Sequence, residues 1–170
     1  MMMYLLLGFL VVALLFMVTG VSGAPWVPAR TKDITDLLDS AHVTKGTKFL
    51  ELGCGDGRLV KAAAQRGAQA IGYELNPLLF LIAWFRCLGV AGATIVLGDL
   101  WRVNLSSYDV VMAFLVPRTM PRLHAKAAKE LRPSALLVSY IFPIEGKEAL
   151  KSYHSWRIYT YPVKKSAAKK

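Results

Sequence analysis

"FLELGCGDGR", Phe49 to Arg58, joins an alternating apolar run to three glycines, Gly53, Gly55 and Gly57, set two residues apart. The first half reads as a β-strand, and "RLVKAAAQR", Arg58 to Arg66, continues as a helix. A glycine cluster between a strand and a helix lies where open α/β sheets bind ligands, beyond the carboxyl end of the first strand. Glycine there admits positive φ and carries no Cβ to hold a ligand away from the backbone.

Outward from this loop the strand and helix patterns keep alternating. "KFLELG" (Lys48 to Gly53), "AQAIGYEL" (Ala68 to Leu75), "ATIVLGDL" (Ala93 to Leu100), "YDVVMAFLV" (Tyr108 to Val116) and "ALLVSYIF" (Ala135 to Phe142) read as strands. "NPLLFLIAWFRCLG", Asn76 to Gly89, reads as a nearly all-apolar helix capped by Asn76 with Pro77 in its first turn. "MPRLHAKAAKELR", Met120 to Arg132, is a further helix, and "DITDLLDSA", Asp33 to Ala41, a short one before the first strand. "YHSWRIYTYPV", Tyr153 to Val163, predicts a closing antiparallel strand. The pattern predicts an α/β fold: a Rossmann-like, doubly wound, mostly parallel sheet with helices on both faces, joined by right-handed crossovers.

The N-terminal end is different. No charged side chain occurs from Met1 to Ala29, and "YLLLGFLVVALLFMVTGV", Tyr4 to Val21, approaches the roughly 20 apolar residues that span a bilayer. No Lys or Arg precedes this run, as a signal peptide's positive n-region would require, although "VSGA" offers small residues near a cleavage site. Basic residues follow it instead, at Arg30, Lys32, Lys45 and Lys48, which predicts a single-pass membrane protein with its bulk in the cytoplasm. "GAPWVPAR", Gly23 to Arg30, reads as an extended linker because of Pro25 and Pro28.

Composition narrows the partners. The net charge of +10, part of it in the tail "KKSAAKK", suits an anionic partner, and for a tethered chain that is the lipid headgroup layer. No interleaved aromatic and basic pattern supports nucleic-acid binding. The two cysteines, Cys54 and Cys87, and the histidines His42, His124 and His154 have no metal-ligand spacing, so no metal site is expected.

Three ligands compete for the glycine loop. A phosphate-cradling P-loop needs Lys and Ser or Thr after its glycine, and neither is present. A dinucleotide fingerprint needs its third glycine one residue later, where Arg58 stands. S-adenosylmethionine is a cation without phosphates whose amino acid end and ribose offer donors to carboxylates. Carboxylates stand at successive strand ends: Glu51, Glu74 and Asp99. Asp56 and Asp109 are read as capping or solvated carboxylates.

On these residues the chain resembles the class I, Rossmann-like S-adenosylmethionine-dependent methyltransferases, "ELGCGDG" being similar to their first motif. The resemblance implies that Glu51 orients the methionine end and that Gly53, Cys54 and Gly55 line it. It implies too that Glu74, with Leu75, holds the ribose, and that Asp99 and Leu100 flank the adenine. "PWVPAR", "ELGCGDGRLV", "GYELNP", "DLWRVNLSSYDVV" and "FLVP" resemble more narrowly the lysine methyltransferases of the ATP synthase c-subunit and the adenine nucleotide translocase, with their bacterial relatives. That likeness runs from Pro25 to Phe142. With the hydropathy, linker and tail readings above, the chain divides into a transmembrane anchor over 1–22, a linker and short helix over 23–47, a methyltransferase domain over 48–163 and a basic tail over 164–170.

The expected reaction is N-methylation of a lysine in a membrane-associated protein. The alternatives are methylation of a quinone or lipid, or a module that binds the cofactor without turnover. Trp101, Phe114 and Pro117 are the residues expected to face the acceptor, Trp101 through its ring. Pro117 reads foremost as a turn former. No residue is identified as a general base.

Overall fold

The structure is a computed structural model that describes residues 1–4, 6 and 27–161. Its centre is a seven-stranded sheet in the order β3-β2-β1-β4-β5-β7-β6. The strands are β1 (Lys48–Leu52), β2 (Gln69–Glu74), β3 (Ala93–Leu97), β4 (Val110–Ala113), β5 (Leu136–Tyr140), β6 (Lys151–Ser152) and β7 (Trp156–Thr160). The first five in sequence run parallel, while β7 pairs antiparallel with β5 and β6 antiparallel with β7. The antiparallel closing strand therefore matches the sequence reading, and the two-residue β6 is added at the edge.

Four α-helices are described beyond the linker: α1 (Thr31–Ser40), α2 (Arg58–Gln65), α3 (Pro77–Cys87) and α4 (Met120–Glu130). Side-chain alternation along the strands sorts the core into two layers. Phe49, Met112, Val138 and Ile158 face α1, α2 and α3, whereas Leu50, Leu52, Val111, Leu137 and Tyr159 face α4. The second layer is thinner, because β3 crosses to β4 through two short 3₁₀ turns, Leu100–Arg102 and Leu105–Ser107, rather than an α-helix. Each fully buried Leu or Phe in these layers contributes about 1.5–3 kcal/mol.

Local chemistry explains where α3 begins. The Asn76 side chain accepts hydrogen bonds from the backbone N–H groups of Leu78 (2.9 Å) and Leu79 (3.3 Å), and Pro77 occupies the first turn, where its missing N–H costs nothing.

Among the described residues no helix is long and apolar enough to cross a membrane. The segment read as an anchor lies, beyond Leu6, outside the described residues, and so does the basic tail.

Candidate active site

The parallel register lines up the residues that leave the sheet. Leu52 of β1 is level with Tyr73 on one side and Ala113 on the other, and Ala113 is level with Ser139. The next residues along, Glu74, Gly53, Phe114 and Tyr140, therefore form one row at the carboxyl edge. With strands about 4.8 Å apart, this row is about 15 Å long.

The glycine loop is stitched to β2 at one end of the row. Gly53, Gly55 and Gly57 have φ of 79°, 54° and 74°. The N–H groups of Gly53 and Cys54 both donate to the Tyr73 carbonyl at 2.9 Å, and the Gly55 N–H donates to Glu74 Oε2 at 2.8 Å. Glu74 Oε1 accepts from the Asn76 N–H at 2.8 Å. Glu74 is buried, and burial raises its carboxyl above the usual range although the N–H groups of Asn76, Gly55 and Leu75 partly offset this. A carboxylate has about four acceptor sites, so two loop hydrogen bonds leave Glu74 capacity for a ligand's hydroxyls.

Gly57 opens α2 and must be glycine for a second reason besides its φ. A Cβ there would stand 2.9 Å from Ala83 Cβ on α3. Gly72 serves the same close packing, since a Cβ would meet Cys54 Cβ and Val60 Cγ2 at 2.7 Å. The Cys54 side chain accordingly points into the core against β2, and only its backbone lines the loop. Burial pushes its thiol far up, away from any thiolate chemistry.

Glu51 carries the heaviest electrostatic penalty. It is buried beneath the loop, and its Oε2 has no hydrogen-bond partner. Burial, with like charge from Asp56 and Glu74, pushes its carboxyl well above the ordinary range, a hydrogen bond from the first turn of α2 at Val60 notwithstanding. A buried acceptor lacking a donor is expensive, and a cationic or N–H-rich ligand group relieves it.

Asp56 corrects the sequence reading of a capping or solvated carboxylate. Its side chain is 5% exposed and binds Arg58 Nη2 at 2.7 Å and Arg86 Nη2 at 3.0 Å. Burial alone would raise its pKa, but hydrogen bonding and charge from Arg58, then charge from Arg86, hold it below the usual carboxylate range. The same Arg58 donates through Nη1 to the Ala29 carbonyl at 3.1 Å, tying the linker to the loop. Asp109 stands at the opposite edge, accepting from the Lys48 N–H at 2.8 Å and from Arg132 at 2.7 Å.

Asp99 follows β3 and caps the first 3₁₀ turn, its Oδ1 accepting from the Trp101 N–H at 2.9 Å. It lines an open cavity of about 610 Å³ together with Tyr73, Leu75, Gly98 and Arg102. Leu100 reaches back to the glycine loop, where a Cβ on Gly53 would lie 3.9 Å from its Cδ2. Glu51, Glu74 and the glycines thus meet as one cluster, with Leu75, Asp99 and Leu100 beside it.

The other half of the row is aromatic. Phe114 packs edge-on against Tyr140, with ring centroids 4.8 Å apart. The Tyr140 hydroxyl donates to Asp33 of α1, and burial together with this bond pushes Tyr140 up to about 12. The Trp101 ring already carries a cation, the guanidinium of Arg122 at 4.1 Å from the ring centroid. Pro117 is exposed and opens a 3₁₀ turn, Pro117–Thr119, consistent with a turn-forming role. Sequence reading misses the Asp33–Tyr140 pair because its members are 107 residues apart and neither belongs to a local motif.

Residues 51–151 match the ANTKMT methyltransferase domain family. The ATP synthase c-subunit lysine N-methyltransferase of Homo sapiens is 40% identical over 122 residues, which are 70% of this chain and 52% of that protein. A protein-lysine N-methyltransferase of Saccharolobus islandicus is 36% identical over 135 residues, 75% of this chain and 84% of that protein. Among solved structures, an RNA methyltransferase from Salinibacter ruber in complex with S-adenosyl-L-homocysteine superposes with a TM-score of 0.78 at 27% identity, covering 81% of this chain and 95% of that one. The chain spans about half the length of the vertebrate relatives it matches.

Proposed function

The chain belongs to the ANTKMT methyltransferase domain family, of the class I S-adenosylmethionine-dependent methyltransferases, and from that premise we propose that it N-methylates a lysine of a membrane-associated protein. The observation that carries the reading is the buried, partnerless Glu51 Oε2 beneath a glycine loop held open by Glu74. Such a site fits a ligand with a cationic amino acid end and vicinal hydroxyls, and S-adenosylmethionine supplies an activated methyl group when bound there.

In this reading Glu51 balances the methionine end, and the backbone of Gly53, Cys54 and Gly55 lies against it. Glu74 accepts from the ribose hydroxyls, and Leu75, Asp99 and Leu100 flank the adenine. Phe114, Trp101 and Pro117 face the acceptor. Alignment of acceptor and methyl supplies much of the rate in an in-line displacement. An acceptor lysine with pKa about 10.4 must first lose a proton, at about 4–5 kcal/mol near pH 7. The aromatic end of the row lowers that cost by desolvating the ammonium.

The same proposal takes Tyr4–Val21 as a single membrane-spanning helix with the domain on the cytoplasmic side. It is supported by the charge-free stretch from Met1 to Ala29 and the basic residues that follow it.

The test is in two steps. Calorimetric titration of the full chain with S-adenosylmethionine, NAD serving as control, should give binding of the sulfonium cofactor alone. Incubation with labelled cofactor and membrane extracts, followed by mass spectrometry, should then place methyl groups on lysine. Label in the lipid extract instead would establish the quinone or lipid reading, and binding without any transfer would establish a cofactor-binding module.

A further inference from the structure

We propose that the outward face of α3 is a membrane contact of its own, lying in the headgroup layer of a bilayer and setting the orientation of the carboxyl edge of the sheet against it. The proposal rests on the anchored reading above and adds a surface that reading does not require.

One side of α3 is fully accounted for by the core, where Leu79, Ala83 and Cys87 are buried. The other side presents Leu81, Ile82, Trp84, Phe85 and Leu88, each 43% to 65% exposed. Leu81, Trp84, Phe85 and Leu88 follow the helical i, i+3, i+4, i+7 spacing, so they form one stripe rather than scattered contacts. A helix on a water-facing surface carries polar residues there. Helix α1 does so, exposing Thr31, Lys32, Thr35, Asp36 and Asp39. A contiguous apolar stripe marks a contact surface.

Two observations select lipid as what covers it. From Asn76 to Gly98 the only charged residue is Arg86, which shares the Asp56 carboxylate with Arg58, so this cluster keeps one net positive charge and the face itself carries no carboxylate to oppose anionic headgroups. Trp84 and Phe85 sit edge to face, with centroids 5.0 Å apart, and large aromatics beside a basic residue characterise helices that lie in the interface. The second observation is where the linker attaches. Arg58 holds the Ala29 carbonyl, and Arg58 and Arg86 share the Asp56 carboxylate. The linker is thus fastened one ionic bridge from the last turn of α3. From Val21 to Ala29 the chain advances eight residues, at most about 28 Å when extended. A bilayer reached by the upstream apolar segment is therefore within reach of this face. Because Asn76 joins Glu74 to the start of α3, docking that face would bring the cofactor end of the row to the headgroup layer.

The full chain would be reconstituted into phosphatidylcholine vesicles, with and without phosphatidylglycerol. An environment-sensitive fluorophore would be attached at Phe85→Cys or, on the exposed second 3₁₀ turn, at Ser106→Cys; the native cysteines are buried. The expected result is flotation with the vesicles and several-fold stronger quenching by lipid-borne quenchers at residue 85 than at residue 106, increased by phosphatidylglycerol. Adding Leu81→Glu and Leu88→Glu should abolish the difference while leaving cofactor affinity unchanged. Flotation with equal, weak quenching at both sites would overturn the α3 contact and leave the anchor standing. A chain that does not float would overturn both. Shielding of residue 85 without vesicles, accompanied by a dimer in sedimentation, would overturn the proposal in favour of self-association.

Discussion

At the ends of β1 and β2, the backbone N–H groups that shape the glycine loop are taken by the strand beside it. Glu74 takes the N–H groups of Gly55 and Asn76, and the Tyr73 carbonyl takes those of Gly53 and Cys54. At the end of β5, and at Trp101 after β3, the contacts are made by side chains brought from far along the chain: Asp33 on Tyr140, Ser40 on Trp156, and Arg122 on Trp101. The first region is a backbone mould, and the second is a patch of aromatic packing. A mould of backbone amides holds one ligand shape through many changes of side chain. A patch of side chains is changed by single substitutions, which is the division expected of one fold that serves one cofactor and many acceptors.

Four substitutions can break or sharpen that contrast. The largest effect is expected for Glu74→Ala, which removes two hydrogen bonds to a buried carboxylate, each worth about 1.5–3 kcal/mol. Cofactor affinity should fall more than tenfold, about 1.4 kcal/mol or more, in calorimetry. Glu74→Gln, which keeps the side chain's shape, would settle whether a loss reflects binding or unfolding. Unchanged affinity in a folded variant would remove Glu74 from the mould.

Next is Gly57→Ala. It places a Cβ 2.9 Å from Ala83 Cβ at a φ of 74°, and overpacking of this kind costs about 1–3 kcal/mol in chemical denaturation. A smaller effect belongs to Tyr140→Phe in the other region. It removes the bond to Asp33 and should lower stability by about 1 kcal/mol. Cofactor affinity should stay the same while acceptor turnover changes. If affinity followed Tyr140, the two regions would not be separable.

The last prediction is a slope. The folded protein raises the Glu51 carboxyl, so that residue's contribution to stability is full below the ordinary carboxylate pKa and is lost as pH rises through the raised value. Glu51→Gln should therefore gain stability relative to the parent chain as pH increases across that window. Asp109 and Glu130 do not act on Glu51 and cancel in the difference, whereas Asp56 and Glu74, whose like charge helps raise Glu51, are relieved of that repulsion in the variant and add to its gain. Thermal unfolding from pH 4 to pH 8 reads the slope directly, and parallel curves would mean that Glu51 is not held in a raised state.

How legible each region is follows from the same contrast. Gly53, Gly55, Gly57 and Glu74 are readable because strand ends, turns and caps are short-range features, and Asn76 is identifiable as the cap of α3 for the same reason. Asp56 escapes such reading because its partners, Arg58 and Arg86, are brought together only by packing α3 against the loop. Cys54 stands within the motif, yet alternation around Gly72 turns its thiol into the core. The cation facing Trp101 is expected in kind, but it comes from Arg122 of the chain itself.

By itself, then, the amino-acid order determined the strand and helix alternation, the parallel sheet and the glycine loop with its carboxylates, since each depends on residues within a few positions of one another. Tertiary structure alone decided which carboxylates are paired and which is left without a donor, what the aromatic half of the row touches, and that α3 turns an apolar stripe outward. Those outcomes depend on burial and on contacts between distant segments, and the free energy of a buried charge or an uncovered apolar face is set by neighbours that only folding supplies.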